Sequence, residues 1–133
     1  MINFTEILKT SPSGVLATQD GNKVKTRIFQ YLFSDGNKVY FCTSSEKPVY
    51  SQIKNNLYVS FCVANNFTPV LSVNGKAVFV EDKALKTRAL DENPPIKGIY
   101  QTADNPIFKI FYIDVEEVET FSFTDGAKTH TVK

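Results

Sequence analysis

Three Asp-Gly pairs, at residues 20–21, 35–36 and 125–126, most constrain how this chain can fold. Each pair stands between segments that read as strands, and Asp-Gly in that position is a strong signal for a tight hairpin turn. Aromatic residues make up 13% of the chain, and aromatic side chains suit the half-buried faces of a pleated sheet. The pattern therefore predicts successive antiparallel strands joined by short turns.

The remaining segments add helices between some of these strands. Helical spacing is predicted over residues 3–9, 47–55 and 83–92, with a further helical turn after the Pro94-Pro95 pair. Residues 23–33 are predicted to form one long strand, and Gly75 is predicted to mark a bulge within another. Six or seven such strands in meander order close most economically into a small barrel. We expect a mainly β (α+β) protein with one domain over residues 1–133.

The charge balance limits the class of partner. Lys plus Arg is 15 and Asp plus Glu is 14, which gives a net charge of +1. Nucleic-acid binders usually carry a marked basic excess, so no nucleic-acid partner is expected. An oligonucleotide-binding barrel stays open as a last alternative, because aromatic strands with lysines also suit stacked bases. The sequence shows no apolar run long enough to cross a membrane and no leader pattern, which predicts a cytoplasmic protein without a membrane partner.

The cysteines and the single histidine give little support to metal or thiol chemistry. Cys42 and Cys62 lack a CxxC spacing, and His130 stands near the end of the sequence. Structural zinc needs a fuller ligand set, so no metal site is predicted. We interpret both cysteines as small, reduced core residues, with a redox or catalytic thiol as the alternative.

The stretch 43–47 places hydroxyls and an ammonium where a strand ends and a helix begins. Thr43, Ser44, Ser45 and Lys47 stand there together. A helix N-terminus carries unpaired N–H groups and a partial positive charge, which suit a phosphate. Ser and Thr are also ordinary helix N-caps whatever the ligand. A phosphate cradle and a simple cap are both open on these residues alone.

Arg27 favours the phosphate interpretation. If residues 23–33 form one strand and the following turn is centred on Asp35-Gly36, residue 27 pairs near 43 or 44. A guanidinium would then stand beside the hydroxyls and Lys47, with Phe29 and Tyr31 on its face of the strand. The alternatives are a solvated Arg27 and aromatic residues that belong to the core.

Four segments in order carry a family resemblance: "TRIFQYLF", "VYFCTSSEKPVYSQIKNN", "LYVSFCV" and "VNGKAVFVED". Together they resemble the pyridoxamine 5′-phosphate oxidase-like flavoproteins, over about residues 3–123. The short members linked to nitroimidazole resistance or general stress are the most similar. The resemblance implies an FMN-binding split β-barrel, with six or seven antiparallel strands and short flanking helices.

The resemblance also implies a site. In the family, an Arg and a Lys hold the FMN phosphate with nearby hydroxyls, and backbone groups of the Arg strand face the isoalloxazine edge. The matching cofactor-binding residues here are Arg27, Ile28, Phe29, Gln30, Thr43, Ser44, Ser45 and Lys47. The family usually forms a two-fold homodimer with flavin sites at the interface, and the same is expected here.

Departures from the family pattern limit the expected activity. The true oxidases carry a basic pair where this chain has Glu46-Lys47, and a C-terminal Arg and Trp where it ends in "THTVK". Pyridoxamine phosphate oxidation is therefore not expected. The leading expectation is an FMN-dependent oxidoreductase of unassigned small-molecule substrate, with NAD(P)H or an organic donor. A non-enzymatic flavin carrier or redox sensor is the alternative, and haem or a deazaflavin could replace FMN.

No catalytic residue is assigned from the sequence. Tyr31 and Tyr100 are conceivable proton donors near a flavin, but packing is the commoner role for each. Residues 94–106 are expected to frame a substrate pocket.

Overall fold

The fold is built on one antiparallel sheet of eight strands. The computed structural model describes residues 2–133. The strands are β1 (Ser13–Asp20), β2 (Lys23–Gln30), β3 (Phe33–Asp35), β4 (Lys38–Ser44), β5 (Tyr58–Val63), β6 (Val70–Val80), β7 (Phe108–Ser122) and β8 (Gly126–Thr131). Their order in the sheet is β2-β1-β5-β6-β7-β4-β3, with β8 on β7. The predicted mainly β architecture is confirmed, with eight strands where six or seven were expected.

Four helices flank the sheet where the sequence predicts them. They are α1 (Phe4–Thr10), α2 (Pro48–Asn55), α3 (Lys83–Glu92) and α4 (Pro94–Tyr100). The side chain of Asp82 caps α3 by accepting a hydrogen bond of 3.1 Å from the backbone N–H of Leu85. Within residues 2–133, no helix is long and apolar enough to cross a membrane.

The Asp-Gly turns build hairpins as predicted. Asp20 pairs with Lys23 across one turn, and Asp35 pairs with Lys38 across another. Gly21 and Gly36 take the first turn position at φ 62° and 59°, where a side chain would add strain. The bulge is also confirmed, because the β6–β7 register shifts between Asn74 and Gly75.

The predicted single strand over residues 23–33 is wrong, because the chain changes partners in its middle. β2 pairs with β1 as far as Gln30, and the N–H of Tyr31 donates to the carbonyl of Pro12 at 2.8 Å. The next N–H, that of Leu32, donates to the carbonyl of Tyr40 at 3.0 Å. The segment thus crosses from one edge of the sheet to the other. β2 and β3 are joined through the chain and not through a ladder, so the barrel is split.

Two clusters of buried side chains lie on opposite faces of β4 and β7. The interior cluster fills the barrel and includes Phe41, Phe61 and Phe111. The outer cluster lies beneath α3 and α4 and includes Tyr40 and Phe108. Alternation along each strand explains the division, since successive side chains point to opposite faces.

Helix α2 packs on the interior cluster. Val49 and Ile53 are buried there, one turn apart on the same side of the helix. Thr43 and Ser44 end β4, and only residues 45–47 separate that strand from the helix. The connection therefore brings the start of α2 next to the end of β4.

Candidate cofactor-binding site

A slit between β2 and the end of β4 is the central feature of the candidate site. In the described part of the chain, β2 is an edge strand that pairs only with β1. β4 pairs with β7 along its whole length, but β3 covers its other edge only over Lys38–Tyr40. The rings of Phe29 and Phe41 meet across the gap, with centroids 6.1 Å apart. We call this gap the β2–β4 slit.

The predicted pairing of Arg27 with residue 43 or 44 is wrong, because β2 and β4 are not hydrogen-bonded to each other. Arg27 lies opposite Leu16 of β1, because the partner exchange after Gln30 moves the hairpin onto β3. The Phe29–Phe41 contact nevertheless sets β2 and β4 side by side across the slit. Since these strands run in opposite directions, Arg27 and Thr43 each lie two residues further toward the same end. Each of the two residues therefore lies on the wall of the slit that its own strand forms.

The guanidinium of Arg27 is held by neighbouring strands and by α2. Its Nη1 donates to Thr18 Oγ1 at 2.8 Å and to the carbonyl of Leu16 at 3.2 Å. Its Nη2 donates to Gln52 Oε1 at 2.6 Å. Burial lowers the pKa of Arg27 below its ordinary value, but an arginine guanidinium stays charged at neutral pH. Arg27 is thus a half-buried, hydrogen-bonded residue of β2.

Thr43 presents a buried hydroxyl without a partner. The residue is 2% exposed, and it shares the barrel-facing side of β4 with Phe41. Among residues 2–133, its Oγ1 is the one buried side-chain nitrogen or oxygen that makes no hydrogen bond. Such a group costs about 1–3 kcal/mol when it stays unsatisfied. A hydroxyl can donate to a phosphate oxygen, so this atom fits the phosphate that the resemblance implies.

Ser44 and Ser45 shape the turn that follows β4. The side chain of Ser44 points to the face opposite that of Thr43, and its Oγ accepts a 3.1 Å hydrogen bond from the N–H of Glu46. The N–H of Ser45 donates to the carbonyl of Ile107 at 2.9 Å. These contacts fix the path of the chain into α2. They do not bring the Ser44 hydroxyl onto the wall that carries Thr43.

The simple helix cap that competed with the phosphate cradle is absent. The N-cap of α2 is Lys47, and of the side chains in residues 2–133 none accepts a hydrogen bond from the first turn. The hydroxyls lie too early in the chain, because the helix begins only at Pro48. Lys47 is exposed and, in the described part of the chain, belongs to none of the ion pairs.

The β2 wall contributes backbone as well as Arg27. Ile28 is 70% exposed on the outer face, whereas Phe29 is half-buried against the interior cluster. Gln30 is exposed at the end of the strand. In an edge strand, half of the backbone N–H and C=O groups point away from the only neighbour. The free edge over residues 28–30 therefore faces the slit.

The two tyrosines proposed as proton donors are packing residues. Tyr31 is buried, and its hydroxyl donates to Ser34 Oγ at 2.9 Å. The ring of Tyr100 lies 4.6 Å from that of Phe108, and burial raises its pKa above 10.0. Both side chains therefore belong to the buried clusters.

Residues 94–106 form α4 and a turn, and part of this segment lines a cavity. The cavity measures about 370 Å³, and Asp104 and Asn105 line it together with Lys86 and Lys109. Glu81 accepts hydrogen bonds from both lysines, at 2.7 Å and 3.1 Å. These charges pair with one another, and Lys109 lies opposite Thr43 in the β4–β7 ladder, on the same face of the sheet.

Thr18 and Gln52 are site residues that the sequence interpretation missed. Both are buried, and they connect Arg27 to β1 and α2. A signal for Gln52 exists: it stands between Val49 and Ile53 on the apolar side of α2. A polar residue in such a stripe must find a buried partner.

The comparisons agree with this geometry. A family model described as pyridoxamine 5′-phosphate oxidase matches residues 2–122. The chain belongs to the pyridoxamine 5′-phosphate oxidase family. No curated protein matches it.

Solved structures are similar to this one along nearly the whole chain. A NimC/NimA family protein from Clostridium acetobutylicum superposes with a TM-score of 0.86 at 25% identity, over 97% of this chain and 91% of its own. General Stress Protein 26 from Bacillus anthracis gives a TM-score of 0.79 at 19% identity, over 98% of this chain and 100% of its own. A haem-binding protein from Mycobacterium smegmatis gives 0.75 at 17% identity, over 94% of this chain and 55% of its own. The last two show a shared fold only.

Both cysteines are free thiols, and Cys42 is the more informative of the two. Cys42 lies on the α3–α4 side of β4 with the outer cluster. Burial raises the pKa of its thiol to about 11, an effect that nearby Lys47 partly opposes. A thiol with this pKa stays protonated at neutral pH and is a poor nucleophile. The interpretation of Cys42 as a reduced structural residue follows.

We predict a pH-dependent contribution of Cys42 to stability. The pKa of the thiol is 9.0 in the unfolded chain and about 11 in the folded protein. Between these values the unfolded state binds fewer protons, so the free energy of unfolding falls as pH rises. Urea unfolding of the parent and of Cys42→Ala should differ by about 1 kcal/mol at pH 7. The parent should lose stability relative to the variant by up to about 1.4 kcal/mol per pH unit above pH 9. A difference that is constant from pH 7 to pH 10.5 would contradict the burial argument.

Proposed function

We propose that the β2–β4 slit binds FMN, with the phosphate held by Arg27, Lys47 and Thr43. The observation that carries this proposal is the unpartnered, buried hydroxyl of Thr43, which stands on the β4 wall of the slit. Natural proteins rarely leave such a group unsatisfied, and ligand sites are a common exception. One FMN-binding domain then spans residues 1–133.

The charges of the slit suit a phosphate monoester. Arg27 is partly buried and Lys47 is exposed, and the described residues give neither of them an ion-pair partner. Hydrogen bonds between charged donors and phosphate oxygens are about twice as strong as neutral ones. Ser44 and Ser45 support the proposal through the turn they form, which leads the chain from Thr43 to Lys47.

The isoalloxazine ring would lie along the free edge of β2. Backbone groups of residues 28–30 can accept from and donate to the polar edge of such a ring, as the sequence resemblance implies. FMN, when bound, supplies hydride and electron transfer, and the protein supplies binding, orientation and exclusion of water. We propose an FMN-dependent oxidoreductase that acts on a small molecule and takes electrons from NAD(P)H or an organic donor.

A non-enzymatic flavin carrier or redox sensor is the second candidate. It is favoured by the packing of Tyr31 and Tyr100, which leaves no side chain assigned to proton transfer. The two candidates differ in turnover. FMN-loaded protein that oxidises NAD(P)H faster when a nitroaromatic or quinone acceptor is added supports the enzyme, and bound flavin that never cycles supports the carrier.

Haem held by a histidine is a poorer candidate than a flavin for this slit. Haem iron is usually held by a His, Cys, Met or Tyr side chain, and His130 is the single histidine. His130 pairs with Val118 on β7, whereas Thr43 pairs with Lys109 on the same strand. Nine residues of strand correspond to about 30 Å, which keeps the imidazole away from the slit. A deazaflavin shares the phosphate and ring of FMN, and the absorption spectrum of the released chromophore distinguishes it.

A homodimer is proposed from the outer face of β1 and β2. Val24 and Ile28 are 69% and 70% exposed there, and Val15, which pairs with Ile28, is 38% exposed. Contiguous exposed apolar side chains commonly mark an interface. Because Ile28 also borders the slit, a partner docked on this face would contribute to the flavin site.

We predict a two-fold dimer in solution whose interface includes Val24. Light scattering at micromolar concentration should give twice the mass of one chain for the parent and one chain mass for Val24→Glu, because a buried carboxylate is costly. Ile99→Glu is the matched control, since Ile99 is also 70% exposed but lies on α4. A monomeric parent with FMN bound, or equal masses for the parent and Val24→Glu, would contradict the interface.

Removal of either cation should weaken FMN binding selectively. Arg27→Ala and Lys47→Ala each remove a charged hydrogen bond of about 1.5–3 kcal/mol, which corresponds to roughly a 10- to 150-fold higher dissociation constant. Fluorescence-quenching titrations should show that riboflavin, which lacks the phosphate, binds the parent poorly and is nearly unaffected by both changes. Lys54→Ala, in the last turn of α2, is the control and should be silent. Equal affinity of FMN and riboflavin for all four proteins would refute the cradle.

Removal of the unpartnered Thr43 hydroxyl should stabilise the flavin-free protein and weaken FMN binding. Thr43→Val removes a buried unsatisfied group with little change in shape, so it should raise the free energy of unfolding of the flavin-free protein by about 1 kcal/mol. The same change should weaken FMN binding several-fold, because a donor to the phosphate is lost. Urea unfolding and an FMN titration measure the two effects. A Thr43→Val protein that is less stable, or that binds FMN as well as the parent, would count against the assignment.

A further inference from the structure

Arg27, Thr18 and Gln52 form a closed hydrogen-bonded set at the inner wall of the slit. Thr18 Oγ1 donates to Gln52 Oε1 at 2.7 Å, and both oxygens accept from the guanidinium, at 2.8 Å and 2.6 Å. Thr18 is 2% exposed and Gln52 is 8% exposed. The three residues come from β1, β2 and α2, so the set connects the edge strand to the helix.

The contacts occupy one particular edge of the guanidinium. A guanidinium has two forks of N–H donors: one between Nη1 and Nη2, and one between Nε and Nη2. Thr18 Oγ1 and Gln52 Oε1 are hydrogen-bonded neighbours that contact Nη1 and Nη2 respectively, so they cover the first fork. The hydrogen bonds within residues 2–133 leave the Nε–H and the second Nη2–H of Arg27 unused. That second fork matches two oxygens of a phosphate.

The partner of Arg27 on α2 is neutral. Gln52 accepts from the guanidinium through an amide oxygen, and no carboxylate in the described chain forms an ion pair with Arg27. A Glu at this position would provide the same acceptor but would cancel most of the positive charge at 2.6 Å. A neutral acceptor fixes the direction of the guanidinium and leaves its charge available to an anion.

We propose that Gln52 is a positioning residue that aims the free fork of Arg27 at the flavin phosphate without neutralising it. This inference rests on the proposed function and adds to it a residue that does not itself contact the flavin. The competing explanation is that Gln52 only anchors α2 to the barrel. In that case its loss would disturb all ligands of the slit alike, with or without Arg27.

The test is a double-mutant cycle read by FMN and riboflavin titrations. Gln52→Leu removes the acceptor at similar volume and releases the guanidinium. FMN binding must then immobilise the Arg27 side chain, which costs conformational entropy. A loss of roughly 3- to 10-fold in FMN affinity is expected, since immobilising one side chain costs about 0.5–1.5 kcal/mol. Riboflavin affinity should change by less than about two-fold, and Gln52→Leu should be silent in the Arg27→Ala background because the coupled partner is gone.

Gln52→Glu tests the neutrality of the partner separately. It keeps the acceptor, so the melting temperature should match or exceed that of the parent, while FMN affinity should fall further than in Gln52→Leu. FMN affinity restored to the parental level in Gln52→Glu would overturn the neutrality claim. If Gln52→Leu fails to fold, Thr18→Val replaces it in the cycle, since it removes one of the two acceptors from the same fork.

The outcomes separate this inference from the proposed function. Equal losses of FMN and riboflavin affinity in Gln52→Leu, or the same FMN loss with and without Arg27, would overturn the positioning role while leaving the cradle intact. An Arg27→Ala variant with unchanged FMN affinity would overturn the proposed phosphate site, and with it the role of Gln52.

Discussion

The exchange of partners between Gln30 and Leu32 is the feature on which the rest of the structure depends. At this point the edge strand stops pairing with β1 and begins pairing with β4, and only a covalent connection closes the barrel. A continuous ladder between β2 and β4 would have satisfied every backbone group and left no room between the strands. The split instead leaves two free edges that face each other. A ligand that is flat at one end and anionic at the other can use both of them.

Aromatic packing sets the position of β2 relative to β4. The ring of Phe29 contacts those of Phe41 and Phe111, with centroids 6.1 and 5.9 Å away, so the barrel interior beside the slit is filled by aromatic side chains. α2 covers the interior cluster beside the slit. Its Gln52 accepts a hydrogen bond from the partly buried Arg27, which offsets the desolvation of the guanidinium. The one polar group that packing leaves unsatisfied is the hydroxyl of Thr43, among the residues described. Stability and binding thus make opposite demands on that side chain.

Local signals in the sequence predicted most of the fold. The Asp-Gly hairpins, the helices and the bulge at Gly75 were correct, because each depends on neighbouring residues alone. The pairing of Arg27 was wrong, because the chain exchanges partners after Gln30: the N–H of Tyr31 bonds to Pro12, just before β1, and that of Leu32 bonds to Tyr40 of the following hairpin. The alternative of a hydroxyl cap on α2 failed for a local reason, since the helix starts at Pro48, after the hydroxyls. Gln52 was missed because its partners lie 25 and 34 residues away.

The measurement that tests the central claim most directly is a titration of isotope-labelled protein with FMN, followed by backbone amide NMR spectra. Binding in the β2–β4 slit predicts that the largest shifts occur at Arg27–Gln30 and at Thr43–Lys47. Riboflavin should shift residues 28–30 far more than Arg27 and Thr43–Lys47. The outer face of the sheet offers a different cavity of about 770 Å³, lined by Ser60 and Glu117 among others. Shifts confined to that face, with both walls of the slit unperturbed, would contradict the account.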